Sequence, residues 1–271
     1  MRFVNRHPGS GSRLLLMLLP FILFLAVYFF GSATRLAQNP DDKLLPSAAQ
    51  MADAIDRVAF TEDRRSGEYI LWSDTAASLV RLGAGLGIAA CAGLALGVVT
   101  GVFPFLRAGI SPFLAVVSMI PPLAILPILF IVFGLDELSK VALIVIGVTP
   151  VLARDLEQRA REIPRELLVK AQTLGANSWT LVLRVMLPQL CARLLVSLRL
   201  MLGSAWLFLI SAEAISATAG LGYRIFLVRR YLAMDTILPY VAWITLLAWL
   251  MDFLLRQISR RCFPWSEGAL T

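Results

Sequence analysis

The residues that most often carry out enzyme chemistry are scarce in this 271-residue sequence. It contains one histidine, His7, and three cysteines without a C-x-x-C spacing, which are Cys91, Cys191 and Cys262. This set provides no nucleophile beside a general base and no zinc-ligand cluster, and it argues against a disulfide framework. We therefore predict no catalytic residue, no metal site and no bound cofactor.

Nucleotide binding is also not indicated by the sequence. None of the three lysines, Lys43, Lys140 and Lys170, follows a glycine. The chain therefore lacks the G-x-x-x-x-G-K-[ST] loop, whose backbone amides and lysine hold nucleotide phosphates. If ATP drives this protein, we expect its hydrolysis on a separate subunit.

The remaining candidates are carboxylates inside or beside apolar stretches. Ionisable groups near a membrane pathway are functional candidates by default. Glu213 could hold a cationic solute, or it could make a structural hydrogen bond to the G-L-G-Y turn at residues 220–223. Asp252 lies near the end of the last apolar run. A secondary transporter would need such a carboxylate for ion coupling.

The composition places these residues in a membrane protein. The chain is 58% apolar and 16% charged with a mean hydropathy of +0.77, whereas globular domains are about 45 to 50% apolar and about 25% charged. The apolar residues form unbroken runs, as membrane spans do. Basic residues flank these runs, so the net charge of +7 indicates topology and not nucleic-acid binding. We predict an all-α polytopic membrane protein.

The sequence predicts six transmembrane helices, at about residues 14–30, 76–103, 110–133, 138–153, 190–212 and 237–255. The first run could instead be a cleaved signal peptide, but its 17 uncharged residues exceed the usual apolar region of about 7 to 15. The distribution of basic residues in short loops places both termini, residues 1–13 and 259–271, in the cytoplasm. Residues 31–75 are then external, with an amphipathic helix at 44–60 on the outer leaflet.

Two predicted spans carry patterns of a bundle interior. The second has small residues every four positions: Gly85, Ala89, Gly93, Gly97 and Gly101. Such a stripe lets another backbone approach closely. The third contains four prolines: Pro112, Pro121, Pro122 and Pro127. Because each proline removes a backbone donor, we expect this span to line a pathway. The short fourth span, with Pro150, is either part of that pathway or a kinked packing helix.

A polar excursion separates the fourth and fifth predicted spans. Its spacing predicts a first helix from Pro164 to Gly175, residues that suit a first helical position and a C-terminal cap. The N-cap of a second helix is then Asn177 or Ser178. This second helix is predicted to run to Pro188.

The excursion resembles the cytoplasmic loop signature of ABC-importer permeases. Here the pattern runs Ala171, three residues, Gly175, nine residues, Val185, one residue and Leu187-Pro188. The family has Glu-Ala-Ala, three residues, Gly, nine residues, Ile, one residue and Leu-Pro. The family glutamate falls on Val169 and the first alanine on Lys170, which affects contacts through that acid but not the helix itself.

The resemblance extends from LWSDTAASLVRLGAGLGIA through SMIPPLAILPILFIVFG and AEAISATAGLGYRIF to the last span. It looks like the nitrate, sulfonate and taurine branch of these permeases. The whole pattern, including IFLVRRYLAMD, is most similar to permeases associated with urea carboxylase. The resemblance implies a five-helix permease core at residues 76–258, with a coupling loop at 154–188.

The resemblance also implies roles for individual residues. Coupling to an ATPase would involve Ala171, Gly175, Leu187 and Pro188. The translocation pathway or its outer gate would involve Pro121, Pro122, Glu213, Gly220, Gly222 and Tyr223.

The implied assembly is an importer in the bacterial inner membrane. It would contain two permease subunits, expected as a homodimer, two separate ATP-binding ABC subunits and an external solute-binding protein. The implied solute is small and polar, either urea-like or a guanidinium compound, with nitrate, an alkanesulfonate or taurine as the alternative. A secondary transporter or a channel without ATP coupling is the other class, and a channel would not require a coupling hairpin.

Overall fold

The computed structural model describes residues 9–39, 42–64 and 67–265. Every regular element within these ranges is helical, which confirms the predicted all-α class. The predicted terminal segments 1–13 and 259–271 fall partly outside these ranges, and His7 falls outside them altogether.

The described residues form eleven α-helices. They are α1 (Ser10–Gln38), α2 (Ala48–Ile55), α3 (Ile70–Val102), α4 (Pro104–Val117), α5 (Leu126–Phe133), α6 (Glu137–Arg161), α7 (Arg165–Thr173), α8 (Ser178–Leu181), α9 (Leu187–Ser216), α10 (Leu221–Arg229) and α11 (Met234–Cys262). A 3₁₀ turn at Pro122–Ile125 and two π turns at Asp56–Phe60 and Val182–Met186 complete the helical elements.

Four helical stretches are long and apolar enough to cross a membrane: Gly11–Gln38, Ile70–Val102, Ser178–Ser216 and Met234–Cys262. Helices α4 and α5 pass the same test together, but they are bent by 81° at the break between them. Helix α6, where the sequence predicts the fourth span, is not among these stretches, and Lys140 and Arg154 flank its apolar part. The prediction of six spans is therefore not confirmed, since the described residues provide four, or five if the bent pair is one span.

The break between α4 and α5 follows from a proline pair. A residue that precedes a proline is disfavoured in the helical region of φ and ψ. Pro121 accordingly has an extended conformation, with φ −64° and ψ 116°, and Pro122 begins the 3₁₀ turn that leads into α5. The third predicted span is therefore two helices rather than one.

The chain divides into two compact units, which we describe separately. The first contains the described residues up to Tyr69 together with Val228–Val241. Within it, the hydroxyls of Tyr28 and Ser32 donate hydrogen bonds to the carbonyl oxygen of Pro46, at 2.8 and 3.2 Å. These two bonds tie α1 to the segment that precedes α2.

Helix α2 occupies only part of the amphipathic helix predicted at 44–60. It begins after Ser47, whose hydroxyl accepts a hydrogen bond from the Gln50 N–H while the Gln50 side chain accepts one from the Ser47 N–H. This reciprocal capping box satisfies two amide donors that the helix leaves unpaired. Ala54 is buried and Ile55 is 39% exposed. Ala59, in the π turn that follows α2, is also buried.

The second unit, Ile70–Leu227 with the described residues from Ala242 onwards, is built around α3 and α6. A methyl group added to Gly85 would lie 2.8 Å from Ile144 Cβ, and one added to Gly97 would lie 2.6 Å from Leu156 Cβ. The two helices therefore run parallel at a separation that only glycine permits. The predicted bundle-interior role of the glycine stripe is confirmed.

Helix α9 packs against α6 in the opposite direction. Ser197 hydrogen-bonds Asp155 near one end of the pair, and Phe208 packs against Gly147 towards the other. The N-terminal ends of α3 and α6 therefore share one end of the second unit with the C-terminal end of α9.

Candidate functional site

The residues that the resemblance implicates lie mainly at the two ends of α9. Pro188 and Glu213 are 25 positions apart on this helix, which corresponds to roughly 37 Å at helical rise. This length is comparable with the hydrocarbon core of a bilayer, about 30 Å. Pro121 and Pro122 belong to neither end, since they lie in the break between α4 and α5.

The four predicted ATPase-coupling residues lie on the coupling hairpin, which we define as residues 164–188. Helix α7 is followed by Gly175 in the left-handed region, with φ +85°. The Ala176 N–H donates to the Ala171 carbonyl oxygen at 3.0 Å, and the Gly175 N–H donates to that of Gln172 at 2.9 Å. These bonds satisfy carbonyls that a helix end leaves unpaired. The predicted helix end at Gly175 is confirmed.

The second helix of the hairpin begins at Asn177, whose Oδ1 accepts a hydrogen bond from the Thr180 N–H at 2.7 Å. This helix does not end at Pro188, as the sequence predicts, but continues as one stretch, Ser178–Ser216. The π turn Val182–Met186 ends two residues before the proline. Because a proline ring clashes with a preceding helical carbonyl and lacks an N–H, the wider turn provides the space that it needs.

An apolar cluster anchors the coupling hairpin on the second unit. The buried members are Ala160, Ile163, Met186 and Leu190. Leu168 and Leu181, one from each helix of the hairpin, pack against this cluster. Other apolar side chains of the hairpin face away from it, with Leu174 88% and Trp179 67% exposed. Such a docked hairpin with exposed apolar residues is typical of a protein contact surface.

The four predicted coupling residues take different positions in the hairpin. Ala171 and Pro188 line a cavity of about 800 Å³ between α7 and the start of α9. Gly175 forms the exposed turn, and Leu187 is half-buried. The structure therefore brings Ala171 and Pro188 together at one cavity.

At the other end of α9, Glu213 is fully buried. Its Oε1 accepts hydrogen bonds from Arg81 Nη1 at 2.7 Å and from the Ser78 hydroxyl at 2.8 Å, and its Oε2 accepts one from the Gly222 N–H at 2.9 Å. The structural hydrogen bond to the G-L-G-Y turn is thus present. The Arg81 guanidinium balances the charge of this carboxylate.

Arg81 connects Glu213 to further charged groups. Its Nη1 also donates to the Ala219 carbonyl oxygen at 2.7 Å, and its Nη2 donates to Glu137 Oε1 at 2.8 Å. Glu137 in turn accepts a hydrogen bond from Lys140 at 3.2 Å. The Arg81 side chain is 7% exposed and that of Glu137 is 62% exposed. Arg81 therefore links a buried carboxylate to a solvent-accessible one.

The two glycines of the turn are required by close contacts. Gly220 has φ +131°, and its N–H donates to Asp74 Oδ1 at 2.9 Å. A methyl group on Gly220 would lie 2.5 Å from Glu213 Oε1. One on Gly222 would lie 2.7 Å from the Ile210 carbonyl oxygen. Neither position accommodates a side chain without displacement of the turn.

Helix α3 provides the remaining contacts to the turn. Asp74 Oδ2 accepts a hydrogen bond from Arg224 Nε at 2.8 Å, and the Ser78 hydroxyl accepts one from the Leu221 N–H at 2.9 Å. The Arg224 guanidinium lies 5.7 Å from the centre of the half-buried Tyr223 ring, within the range of a cation–π contact.

We call Asp74, Ser78, Arg81, Glu137 and Glu213 the turn clamp. Of its members, only Glu213 is predicted from the sequence as a functional candidate. The available signal was the spacing of Asp74, Ser78 and Arg81, because polar residues at i, i+4 and i+7 share one face of a helix.

The proline pair packs against the middle of α6. A methyl group on Gly147 would lie 2.5 Å from the Phe208 ring and 3.1 Å from Pro122 Cβ. The glycine therefore allows the 3₁₀ turn to pack close to α6. Before the break, the Ser118 hydroxyl accepts a hydrogen bond from Arg154 Nη1 at 2.7 Å.

The carboxylate of Asp252 is held in an ion pair. Arg199 donates to its two oxygens at 2.7 and 3.1 Å. Within the described ranges, no group of three or more histidine, cysteine or acidic side chains could hold a metal ion.

Comparisons with known proteins agree on one family. Residues 92–264 match the family of binding-protein-dependent transport system inner membrane components. The chain is 34% identical over 195 residues to a taurine transport system permease protein of Escherichia coli (strain K12), a match that covers 72% of this chain and 71% of the relative. It is 31% identical over 206 residues to a bicarbonate transport system permease protein of Synechococcus elongatus, which covers 72% and 74%.

The fold is shared with a solved structure. A chain from an inward-facing conformation of the MetNI methionine ABC transporter superimposes with a TM-score of 0.59 at 22% identity, over 71% of this chain and 94% of that chain. The segment that matches the family contains both the coupling hairpin and the Glu213 end of α9. The chain therefore belongs to the family of binding-protein-dependent transport system inner membrane components.

Proposed function

We propose that this chain is the permease subunit of an ATP-driven importer for a small polar solute. The observation that carries the proposal is the coupling hairpin, a capped and docked pair of helices with exposed apolar residues and the spacing of Ala171, Gly175 and Leu187-Pro188. Because the chain has no phosphate-binding loop, ATP would be hydrolysed on separate ABC subunits. A second permease subunit, expected to be a copy of this chain, and an external binding protein complete the assembly.

The proposed mechanism uses the continuity of one helix. The second helix of the coupling hairpin belongs to the stretch Ser178–Ser216, which ends beside the turn clamp. When the ATPase subunits close, they would displace the coupling hairpin. Because this helical stretch is continuous, it would carry the displacement to the opposite end of the second unit. Such closure would tilt the spans between inward-facing and outward-facing states, an equilibrium that nucleotide shifts.

For the solute, the pairing of Glu213 argues against a cationic compound bound by that carboxylate, and the descriptions of the relatives favour a small compound with an anionic group over a urea-like one. A cation would require a free carboxylate, but Glu213 is fully buried and paired with Arg81. The named relatives transport taurine and bicarbonate by their descriptions, and both solutes are small and carry an anionic group. A urea-like solute, which the sequence pattern favours, is the rival that the uptake assay must include.

Reconstitution tests the proposal directly. The chain is placed in proteoliposomes with its ATPase, with binding protein outside and ATP inside, and uptake of radiolabelled taurine, bicarbonate, urea and guanidine is measured. We expect uptake of taurine or bicarbonate that requires ATP, the ATPase and the binding protein, with an ATPase-inactive complex as the control. Equal uptake without the ATPase would contradict the proposal and indicate a secondary transporter or a channel.

A further inference from the structure

Three cationic side chains share the cavity beside the coupling hairpin. They are Lys170 on α7 and Arg184 and Arg193 on the second helix. The cavity measures about 800 Å³, and no acidic residue lines it. Among the described residues, none of these three cations makes an ion pair. None of the three therefore has an acidic partner in the described part of the second unit.

The rest of the lining is mostly apolar and open to the exterior. Leu174 is 88% exposed at the rim, and Trp265, which follows α11, is 62% exposed. The Trp265 ring packs edge-to-face on Phe263, with ring centres 5.5 Å apart. A cavity that combines unpaired cations with exposed aromatic and aliphatic groups suits a protein segment that carries both an acid and apolar side chains.

We propose that this cavity receives an acidic side chain of the ATPase subunit, flanked by apolar residues that pack on Leu174 and Trp265. This inference rests on the proposed function and specifies its contact. The family glutamate is replaced by Val169 in this chain, and Lys170 lies beside it. The coupling hairpin thus presents positive charge at its contact surface, so the complementary acid must come from the partner.

The position of the cavity favours a protein over a lipid headgroup. Arginine and lysine side chains near a cytoplasmic leaflet can also bind anionic lipids. Leu174, however, lies at the polar turn of the coupling hairpin, and Trp179 lies in the first turn of the 39-residue stretch Ser178–Ser216, which is longer than a bilayer core requires. Both side chains are more than half exposed. Lipid headgroups would leave these apolar groups in water, whereas a protein partner would cover them.

Zero-length cross-linking tests the contact on the unmodified complex. A carbodiimide joins a lysine amine to a carboxylate only when the two are in direct contact. We expect a cross-link from Lys170 to one aspartate or glutamate of the copurifying ATPase, identified by mass spectrometry. Lys170→Arg is the matched control, because it keeps the charge and the binding but cannot form the amide. Stable ATPase binding without a Lys170 cross-link to any carboxylate would overturn the inference.

Charge reversal provides an independent test. The double variant Lys170→Glu with Arg184→Glu should weaken ATPase binding by roughly tenfold or more, since it places acid against acid. Arg261→Glu changes an exposed charge near the end of α11, outside both the coupling hairpin and the cavity lining, and should leave binding unchanged. Replacement of the cross-linked carboxylate by lysine should restore binding to the double variant.

The outcomes separate this inference from the proposed function. If the unmodified chain binds no ABC ATPase, the proposed function fails. If it binds one and the double variant binds equally well, only the docking site fails. If the double variant loses bound anionic phospholipid, counted by mass spectrometry, but keeps the ATPase, the cavity is a lipid site and the inference is overturned. Gel filtration of the double variant checks that it remains folded.

Discussion

At the residue scale, the stability of the Glu213 end depends on how charge is buried. Arg81 and Glu213 are 7% and 0% exposed and lie 2.7 Å apart, so each neutralises the other where water is excluded. Removal of one partner from a buried pair leaves an uncompensated charge. Glu137 adds a second carboxylate to Arg81, but its exposure makes that contact weaker. The pair therefore holds the turn in place.

Arg81→Ala should destabilise the protein by about 3 to 5 kcal/mol, because it leaves Glu213 buried without its cation. The control is Arg57→Ala, which removes an ion pair to Asp235 whose side chains are 66% and 29% exposed. That change should cost at most about 1 kcal/mol. Thermal unfolding of both variants in detergent measures the difference. Equal melting temperatures would show that Glu213 does not depend on Arg81.

Gly220→Ala should displace the turn, since its methyl group would meet Glu213 Oε1 at 2.5 Å and its φ is +131°. Gly203→Ala is a matched control, because nothing lies within 4 Å of a methyl group there. In a helix that substitution should be neutral or stabilising by up to about 1 kcal/mol. Uptake and melting temperature should fall for Gly220→Ala alone. A similar response of both variants would contradict the inference that the turn requires a glycine at position 220.

At the element scale, local signals predicted the helix ends and missed how separate helices meet. Gly175 marked the end of the first hairpin helix, and Asn177 is one of the two N-caps predicted for the second, since a left-handed glycine and an N-cap act within a few residues. Pro188 led to the wrong prediction of a helix end, because the preceding π turn accommodates the proline and the helix continues. The contact of Arg81 with Glu213 joins residues 132 positions apart, and no local pattern specifies such a partner.

Gly97→Leu should separate α3 from α6, because a methyl group alone would lie 2.6 Å from Leu156 Cβ. On the same helix, Gly87→Leu is the control, since nothing lies within 4 Å of a methyl group at that position. We expect lost assembly for Gly97→Leu and normal membrane abundance for Gly87→Leu, as judged by gel filtration and immunoblotting. Normal assembly of both variants would show that the glycine contact is dispensable.

At the scale of the whole molecule, α9 connects two distant sites. It begins at the coupling hairpin, which is exposed, and ends at the turn clamp, which is largely buried. Composition alone predicted the class of protein, because 58% apolar residues in unbroken runs leave few alternatives to membrane helices. Composition did not predict the number of spans. Pro121 and Pro122 divide the third predicted span into two helices, and charged residues flank the apolar part of the fourth.

The orientation of the chain is open to labelling. In a background without Cys91, Cys191 and Cys262, we expect Ala49→Cys to react with a membrane-impermeant maleimide in intact cells. Gln172→Cys, on the coupling hairpin, should react only after permeabilisation. Both positions are exposed, so access depends on the side of the membrane. The opposite pattern would place the coupling hairpin outside and exclude its contact with a cytoplasmic ATPase.

We expect the coupling hairpin to transmit to this chain the movement that ATP hydrolysis drives in the partner subunits. Solute-stimulated ATP hydrolysis by the reconstituted complex tests this expectation most directly, with the unmodified chain compared with Gly175→Pro and Ala171→Glu. Proline would force φ to about −65° where the chain requires +85° and would remove the N–H that donates to Gln172. Glutamate would place a charged side chain at the cavity beside α7. We expect normal membrane insertion of both variants with loss of stimulated hydrolysis, whereas full stimulated hydrolysis in both would contradict the coupling role of the hairpin.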